Sequence, residues 1–195
     1  MACFRLPAVR SLGYCEGVSS LKRIAIDMDE VMADAVTEHL ARYNQDHNER
    51  ITKDDLQGKW LWDVVSVDRH AALESYLRSD DFFDVLHVMP EAQRVIEALQ
   101  SRYDVFIATA AMEVPTSFMS KYRWLAKHFP FIPASHIVFC GNKSILRADY
   151  LIDDNPRQLK RFEGEGIIYT SPHNIHVNGY RRVNDWLDVE KMFLG

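Results

Sequence analysis

Two aspartates stand one residue apart at the end of a short apolar run near the start of the chain. Residues 24–30 read IAIDMDE, so Asp27 and Asp29 follow directly on three apolar residues. On an extended segment the side chains of residues i and i+2 share a face, so both carboxylates can reach one bound molecule. One carboxylate can attack a phosphorus atom, while the other protonates the leaving oxygen and then activates water.

Four other polar residues follow later apolar runs in the same way. Thr109 ends the run FIAT, Lys143 lies in FCGNKS, and Asp153 and Asp154 follow YLI. In open α/β sheets, ligands bind beyond the carboxyl ends of the strands. If the apolar runs are strands of one parallel sheet, these four residues converge with the two aspartates on one site.

Four carboxylates that meet in a small volume repel one another unless a cation joins them. The set offers only oxygen donors, which favours a hard cation, and Mg²⁺ is expected because it shares its ligand shell with water and phosphate. A lysine and a threonine beside such an ion suit a phosphoryl group. Each aspartate alone could equally cap a turn, so the prediction of a phosphoryl-transfer site depends on the whole set.

The apolar runs lack the strict alternation of half-exposed strands, which predicts strands that are covered on both faces. They lie at residues 23–26, 103–108, 137–140, 150–152 and 166–170. Segments of helical period lie between or after them, at 89–102, 114–129 and 183–194, with Asn184 as the expected N-cap of the last. This alternation predicts an α/β fold with a Rossmann-like, doubly wound parallel sheet.

One long interval interrupts the alternation of strands and helices. Between residues 34 and 88 the chain has two helix-like stretches, 35–48 and 68–77, and the aromatic sequence LQGKWLWDVV, without a convincing core strand. We predict that residues 34–88, called the cap segment here, form a small helical cap inserted after the first strand. The α/β core would then comprise residues 21–33 and 89–195, and residues 1–20 would be a disordered extension.

The composition narrows the classes of function. The chain has 195 residues and a net charge of −5, with acidic and basic residues interspersed, so no basic surface for a nucleic-acid polymer is expected. No apolar run approaches the roughly 20 residues that cross a bilayer, so no membrane partner is expected either. Three scattered cysteines favour a cytoplasmic protein over a disulfide framework, and the oligomeric state stays open.

The motifs together resemble a known superfamily. DMDEV, the Thr of IATAAM, the Lys of GNKS and the sequence IDDNP occur in the order of the four motifs of haloacid dehalogenase-like (HAD) phosphohydrolases. AIDMDEVMAD, SFMSKYRWLAKHF, ADYLIDDNP and YTSPHN further resemble the 5′(3′)-deoxyribonucleotidase family, over about residues 22–187. The resemblance implies hydrolysis of (deoxy)nucleoside monophosphates to nucleoside and phosphate through an aspartyl-phosphate intermediate.

The resemblance also implies a role for each acidic residue. Asp27 would be the nucleophile and Asp29 the general acid/base. Mg²⁺ would be held by the side chains of Asp27 and Asp154 and by the backbone carbonyl of Asp29. Asp153 would support these ligands.

The remaining implied contacts concern the substrate. The phosphate would contact Thr109, the amide of Ala110 and Lys143. The sequence Lys-Trp-Leu around Trp60 stands where the family has a Phe-Trp-Val segment that helps to form the nucleoside pocket.

Three positions depart from the family pattern. Glu30 replaces the usual glycine, Ala35 replaces an aromatic residue near the base, and Leu77 replaces a tryptophan. The catalytic motifs are complete, whereas the base pocket is altered. The preferred base and sugar, and the choice between 5′ and 3′ phosphate, are therefore left open.

Three other functions are compatible with parts of the pattern. The first is a HAD phosphatase for another small phosphoester, such as a sugar phosphate. The second is a phosphoaccepting receiver module, although receivers place the acidic pair first and the phosphorylated aspartate on a later strand. The third is a nucleotide-binding protein without turnover.

Two further polar residues are not assigned to the site from the sequence. Lys121 is expected on the solvated side of a helix. His173 shares no metal-ligand spacing with the other histidines, so a surface or capping role is expected.

Overall fold

A computed structural model describes residues 21–195 of the chain, so the prediction for residues 1–20 lies outside it. Within the described residues, six parallel strands form one sheet in the order β3-β2-β1-β4-β5-β6. The strands are β1 (Arg23–Ile26), β2 (Asp104–Thr109), β3 (Ile137–Phe139), β4 (Tyr150–Asp153), β5 (Glu165–Tyr169) and β6 (Arg181–Val183). The predicted Rossmann-like parallel sheet is confirmed. β6 was not predicted, because its sequence RRV has two arginines and too short an apolar run.

Seven α-helices accompany the sheet in residues 21–195. They are α1 (Ala35–His47), α2 (Leu61–Val64), α3 (His70–Leu77), α4 (Ala92–Leu99), α5 (Phe118–His128), α6 (Pro156–Leu159) and α7 (Trp186–Phe193). None of these helices has the length and apolar character needed to cross a membrane.

The predicted start of α7 is one residue too early. Asp185, and not Asn184, is the N-cap, since its side chain accepts a hydrogen bond from the amide of Asp188. The amide of Asn184 donates instead to the Asp188 carboxylate, at 2.9 Å. Both residue types cap helices well, so the sequence alone does not separate them.

The strands carry apolar residues on both faces because both faces of the sheet are covered. Ile24 and Ile26 of β1 belong to the larger apolar cluster. Ala25, between them, faces a second cluster together with Leu151 and Ile168. Since successive residues of a strand point to opposite faces, a sheet buried on both sides needs apolar residues at every position.

The cap segment has an apolar cluster of its own. That cluster consists of Leu40, Tyr43, Leu56, Leu61, Val65 and Leu73. The chain leaves the core and returns to it at one place, where the Asp34 amide donates to the His87 carbonyl and the Met89 amide donates to the Met32 carbonyl. That residues 34–88 act as a separate cap stays a prediction.

His39 is a buried polar residue of the cap segment. Its ring makes edge contacts with Trp62 and Phe82, at centroid distances of 5.3 and 5.6 Å. Its Nε2 lies 3.0 Å from the carbonyl oxygen of Leu73, so Nε2 carries the hydrogen and donates it. Burial lowers the pKa of His39 to about 4, which keeps the ring neutral in the folded protein.

The neutral His39 should make stability depend on pH. The unfolded chain takes up a proton near pH 6.5, whereas folded His39 does so only near pH 4, so stability falls as the pH is lowered through this interval. Between pH 7.5 and 5.0, wild type should lose about 2 kcal/mol more unfolding free energy than His39→Phe. Urea unfolding of both proteins at the two pH values measures this difference. Equal losses in the two proteins would show that His39 is not held neutral.

Candidate active site

The predicted site residues meet at the carboxyl edge of the sheet. The direction of strand succession reverses between β1 and β4, and a crevice opens beyond such a reversal. A cavity of about 230 Å³ lies there. It is lined by seven of the site residues predicted from the sequence, namely Asp27, Asp29, Trp60, Ala110, Lys143, Asp153 and Asp154. Thr109, the last residue of β2, is fully buried beside them.

Three of the four carboxylates form a compact group, called the acidic cluster here. Carboxylate oxygens of Asp27, Asp153 and Asp154 lie within 4.8 Å of one another, and all three residues are buried. Strand pairing brings them together, because the Asp27 amide donates to the carbonyl of Ile152, the residue before Asp153, at 2.9 Å. The register of β1 against β4 therefore fixes the cluster.

Lys143 inserts a buried ammonium into the acidic cluster. Its Nζ lies 2.6 Å from Asp27 Oδ1 and 2.5 Å from Asp153 Oδ2, and the side chain is fully buried. Its amide donates to Gln158 Oε1, at 3.1 Å, which fixes the turn that follows β3. The ammonium is thus held between two carboxylates by tertiary contacts.

The charges of the acidic cluster are not balanced by Lys143 alone. Burial raises the pKa of Asp27 to about 7, against the opposing effect of Lys143. Burial, followed by repulsion from Asp153 and Asp27, also raises the pKa of Asp154 well above its usual value. Burial opposes the charge of Lys143, yet Asp153 and Asp27 raise its pKa above the usual range. An all-oxygen cluster with excess negative charge fits a hard divalent cation.

Asp153 and Asp154 have different surroundings within the acidic cluster. Asp153 accepts hydrogen bonds on both oxygens, from the Asn155 amide at 2.8 Å and from Lys143 at 2.5 Å. The Asp154 carboxylate lies 3.5 Å from Nε2 of His173. Burial lowers the pKa of His173 to about 4, so this contact is not an ion pair. Asp27 and Asp154 are therefore better placed than Asp153 to hold an ion.

The expectation of a surface or capping role for His173 is wrong. Its side chain is 5% exposed, and its ring stacks on Trp60 with centroids 3.6 Å apart and planes 16° apart. Trp60 belongs to the cap segment and is 44% exposed. This stack joins the cap segment to the core directly beside Asp154, a contact that the lone histidine did not signal.

The expectation that Lys121 lies on the solvated side of a helix is also wrong. Lys121 is 2% exposed. Its ammonium pairs with the Asp29 carboxylate and lies 3.0 Å from Thr109 Oγ1. A signal was present in the sequence, because Lys121 precedes the buried residues Trp124 and Leu125 by three and four positions and so shares their helix face.

The cap segment contributes apolar side chains to the cavity lining. They are Ala35, Val36, Leu61, Trp62, Leu77 and Phe83. All three departures from the family pattern, Glu30, Ala35 and Leu77, therefore line the cavity. The cap segment contacts the core again at Gly58, whose amide donates to the Pro172 carbonyl at 2.8 Å. Gly58 has φ +74°, and a Cβ there would overlap the His176 ring, so the position requires glycine.

Glu30 occupies a strained position at the junction of core and cap segment. Its φ is +58°, in the left-handed region that costs a non-glycine residue about 1 kcal/mol. Its carboxylate accepts hydrogen bonds from the Val36 amide at 2.7 Å and from Ser171 Oγ at 3.3 Å. Burial raises the pKa of Glu30 to about 7. The residue that replaces the family glycine thus joins the start of α1 to a loop of the core.

Comparison with known proteins agrees with this geometry. Residues 21–195 match the family described as "5' nucleotidase, deoxy (Pyrimidine), cytosolic type C protein". A 5'(3')-deoxyribonucleotidase of Bacillus subtilis (strain 168) is 37% identical over 174 residues, which cover 89% of this chain and 99% of that protein. A Staphylococcus aureus (strain Mu50) protein, named provisionally as a 5'(3')-deoxyribonucleotidase, is 50% identical over 89% of this chain and 96% of its own length.

Solved structures agree on the fold. A haloacid dehalogenase-like hydrolase from Streptococcus pneumoniae superimposes with a TM-score of 0.62 at 13% identity, over 90% of this chain and 100% of that chain. A HAD hydrolase of Bacillus subtilis, bound to magnesium, has a TM-score of 0.58 at 15% identity, over 89% of this chain and 99% of that chain. The resemblance stated from the motifs is confirmed: the chain has a HAD-like fold and belongs to the 5'(3')-deoxyribonucleotidase family of nucleotidases.

Proposed function

We propose that this protein is a Mg²⁺-dependent phosphomonoesterase that hydrolyses deoxynucleoside monophosphates to deoxynucleoside and phosphate. The observation that carries the proposal is the acidic cluster of Asp27, Asp153 and Asp154, within 4.8 Å and in contact with Lys143. The deoxynucleotide substrate is supported by the name of the Bacillus subtilis relative. The all-oxygen donor set, and the magnesium bound by a structural neighbour, support the choice of ion.

In this proposal the phosphate is bound by one cation and two hydrogen-bond donors. The Lys143 ammonium offsets its negative charge, and the Thr109 hydroxyl and the Ala110 amide donate hydrogen bonds to it. The side chains of Asp27 and Asp154 and the backbone carbonyl of Asp29 would hold Mg²⁺. The ion would neutralise the carboxylates and the charge that develops on the phosphoryl oxygens.

The reaction then proceeds in two displacements at phosphorus. An oxygen of Asp27 forms a bond to phosphorus while the bond from phosphorus to the nucleoside oxygen breaks, and Asp29 gives its proton to that oxygen. In the second step a water oxygen attacks the phosphorus of phospho-Asp27 and passes a proton to Asp29. The bond to Asp27 breaks, so free phosphate and the original carboxylate result.

We propose that the cap segment closes the nucleoside end of the site. Its apolar residues face the cavity, and a base and sugar bound there would displace water from the phosphoryl group. Trp60 is the aromatic residue of the cap segment that combines exposure with a place in the cavity wall, so we assign it to the base or sugar.

We also propose a cytoplasmic location, with a small nucleotide as the only partner that the site requires. The site needs no macromolecule to complete it, because every group assigned above comes from this chain. Cys140, the one cysteine within residues 21–195, is a buried free thiol, as a reducing compartment allows.

The proposal is tested by phosphate release from a panel of substrates. Deoxynucleoside monophosphates should be hydrolysed faster than ribonucleotides and sugar phosphates in the presence of Mg²⁺, and EDTA should abolish release. A sugar phosphate as the best substrate would replace the nucleotide in the proposal with another small phosphoester. Binding of nucleotides without any release, at saturating Mg²⁺, would refute the phosphatase activity altogether.

Replacing the nucleophile should stop turnover without unfolding the protein. Asp27→Asn keeps the size of the side chain and removes its charge, so kcat should fall by at least about 10³-fold. Asp54→Asn, an exposed aspartate of the cap segment, serves as the matched control and should keep full activity. Thermal unfolding of both variants checks the fold. Near-normal phosphate release by Asp27→Asn would assign the nucleophile to another residue.

Shortening Trp60 should weaken nucleoside binding only. Trp60→Ala should raise KM for a deoxynucleoside monophosphate about 5-fold, since an aromatic contact contributes about 1 kcal/mol. The same variant should hydrolyse a small aryl phosphate, which has no nucleoside, at nearly the wild-type kcat/KM. Val67→Ala, at a position 80% exposed in the cap segment, is the control. Equal losses on both substrates would place the role of Trp60 outside nucleoside recognition.

A further inference from the structure

Lys121 is a buried cation at the edge of the proposed site. Its ammonium contacts the carboxylate of Asp29 and lies 3.0 Å from Thr109 Oγ1. The ring centroid of Phe83 lies 4.5 Å from the same ammonium and covers it from the end of the cap segment. Burying a lysine costs hydration and side-chain entropy, so these contacts must compensate for both. A buried position with these contacts is not explained by the usual role of a lysine on the solvated face of a helix.

The contact with Thr109 orients its hydroxyl group. An ammonium has only donors, so Oγ1 of Thr109 must accept the hydrogen bond from Lys121. The hydroxyl hydrogen of Thr109 is then available to another acceptor. In the proposed function that acceptor is a phosphate oxygen.

The contact with Lys121 gives the two carboxylate oxygens of Asp29 different surroundings. Oδ2 is engaged by Lys121. Oδ1 is buried and has no hydrogen-bond partner among residues 21–195. Asp29 would otherwise be free to rotate under repulsion from the nearby Asp27 carboxylate. Lys121 thus fixes the carboxylate by one oxygen and leaves the other for a proton.

The two lysines together also offset part of the negative charge of the four aspartates. Asp27, Asp29, Asp153 and Asp154 carry four negative charges when they are ionised. Two ammonium groups and one divalent cation sum to the same number of positive charges. Without Lys121, the site would bind a phosphate anion against an uncompensated negative charge.

We propose that Lys121 is a positioning residue for hydrolysis of phosphorylated Asp27. The inference rests on the proposed function, since it assigns a step within that reaction. In this step the water oxygen bonds to phosphorus, its proton passes to Asp29 Oδ1, and the bond to Asp27 breaks with its electrons returning to the Asp27 carboxylate. Lys121 holds Oδ2 in place, so Oδ1 is the oxygen of Asp29 that remains to take the proton of the water. The effect of Lys121 therefore falls more on hydrolysis than on formation of the intermediate.

The test separates the two steps by rapid mixing with p-nitrophenyl phosphate and Mg²⁺. Nitrophenolate leaves when Asp27 is phosphorylated and needs no proton from Asp29, whereas steady release requires hydrolysis of the intermediate. Lys121→Met should give a burst of about one nitrophenolate per enzyme. Steady release should then be about 10²-fold slower than in wild type, with the burst rate lowered less than about 10-fold. Lys127→Met, an exposed lysine of the same helix, should match wild type.

A double variant shows whether a loss of activity in Lys121→Met comes from misfolding instead of from the loss of positioning. Asp29→Asn combined with Lys121→Met removes both members of the ion pair, so it leaves no unpaired buried charge. If Lys121 acts through Asp29, then Lys121→Met should slow the Asp29→Asn enzyme by less than about 3-fold. Multiplicative effects in the double variant, or a first turnover slowed as much as steady release, would overturn the positioning role. A wild-type enzyme that releases no phosphate would instead refute the proposed function.

Discussion

The structure depends on mutual neutralisation of buried charges where β1 and β4 end. The amide of Asp27 donates to Ile152, which sets Asp27 beside Asp153. Lys143 then lies 2.6 Å from one carboxylate and 2.5 Å from the other. Removing Lys143 would leave the buried carboxylates uncompensated, at a typical cost of about 3–5 kcal/mol. The groups that are proposed to bind phosphate and metal are therefore also part of what holds the core together.

The order of the strands determines which functions this charged group can serve. β1 lies between β2 and β4, so the loops after these strands share the crevice at the reversal point. Receiver-type folds have the five-strand order 2-1-3-4-5, which differs from the order found here. The family match and the solved neighbours agree with the six-strand arrangement. The receiver hypothesis thus fails on topology, and the chain order of its acidic residues already counted against it.

Most of the site could be predicted because its residues follow strand ends. Parallel strands place their carboxyl ends at one edge, so Asp27, Thr109 and Asp153 converge without further information. Lys121 and His173 could not be predicted in this way. Lys121 is neutralised by Asp29, 92 positions away in the chain, and His173 is covered by Trp60 from the cap segment. A periodic pattern identifies a buried face, but not the distant group that makes a polar residue tolerable there.

Short elements of the fold were also difficult to predict from their own residues. β6 has three residues, and its place at the sheet edge comes from pairing with β5 rather than from its own sequence. The N-cap of α7 lies one residue beyond the predicted position, because Asn184 and Asp185 have similar local preferences. The long apolar runs do form strands of the sheet, because burial on both faces favours an apolar side chain at every position in them.

The contacts between the cap segment and the core explain how the site can stay formed if the cap segment moves. The loop of residues 171–174 contacts the cap segment through the stack of His173 on Trp60 and through the hydrogen bond from the Gly58 amide to the Pro172 carbonyl. The same loop holds the backbone of Asp154, since Asn174 Nδ2 donates to its carbonyl at 2.7 Å. Lifting the cap segment would break the stack but not the bond to Asp154, because both of its partners belong to the core. The acidic cluster would therefore keep its geometry while substrate enters, and closure would add only the nucleoside contacts and the exclusion of water.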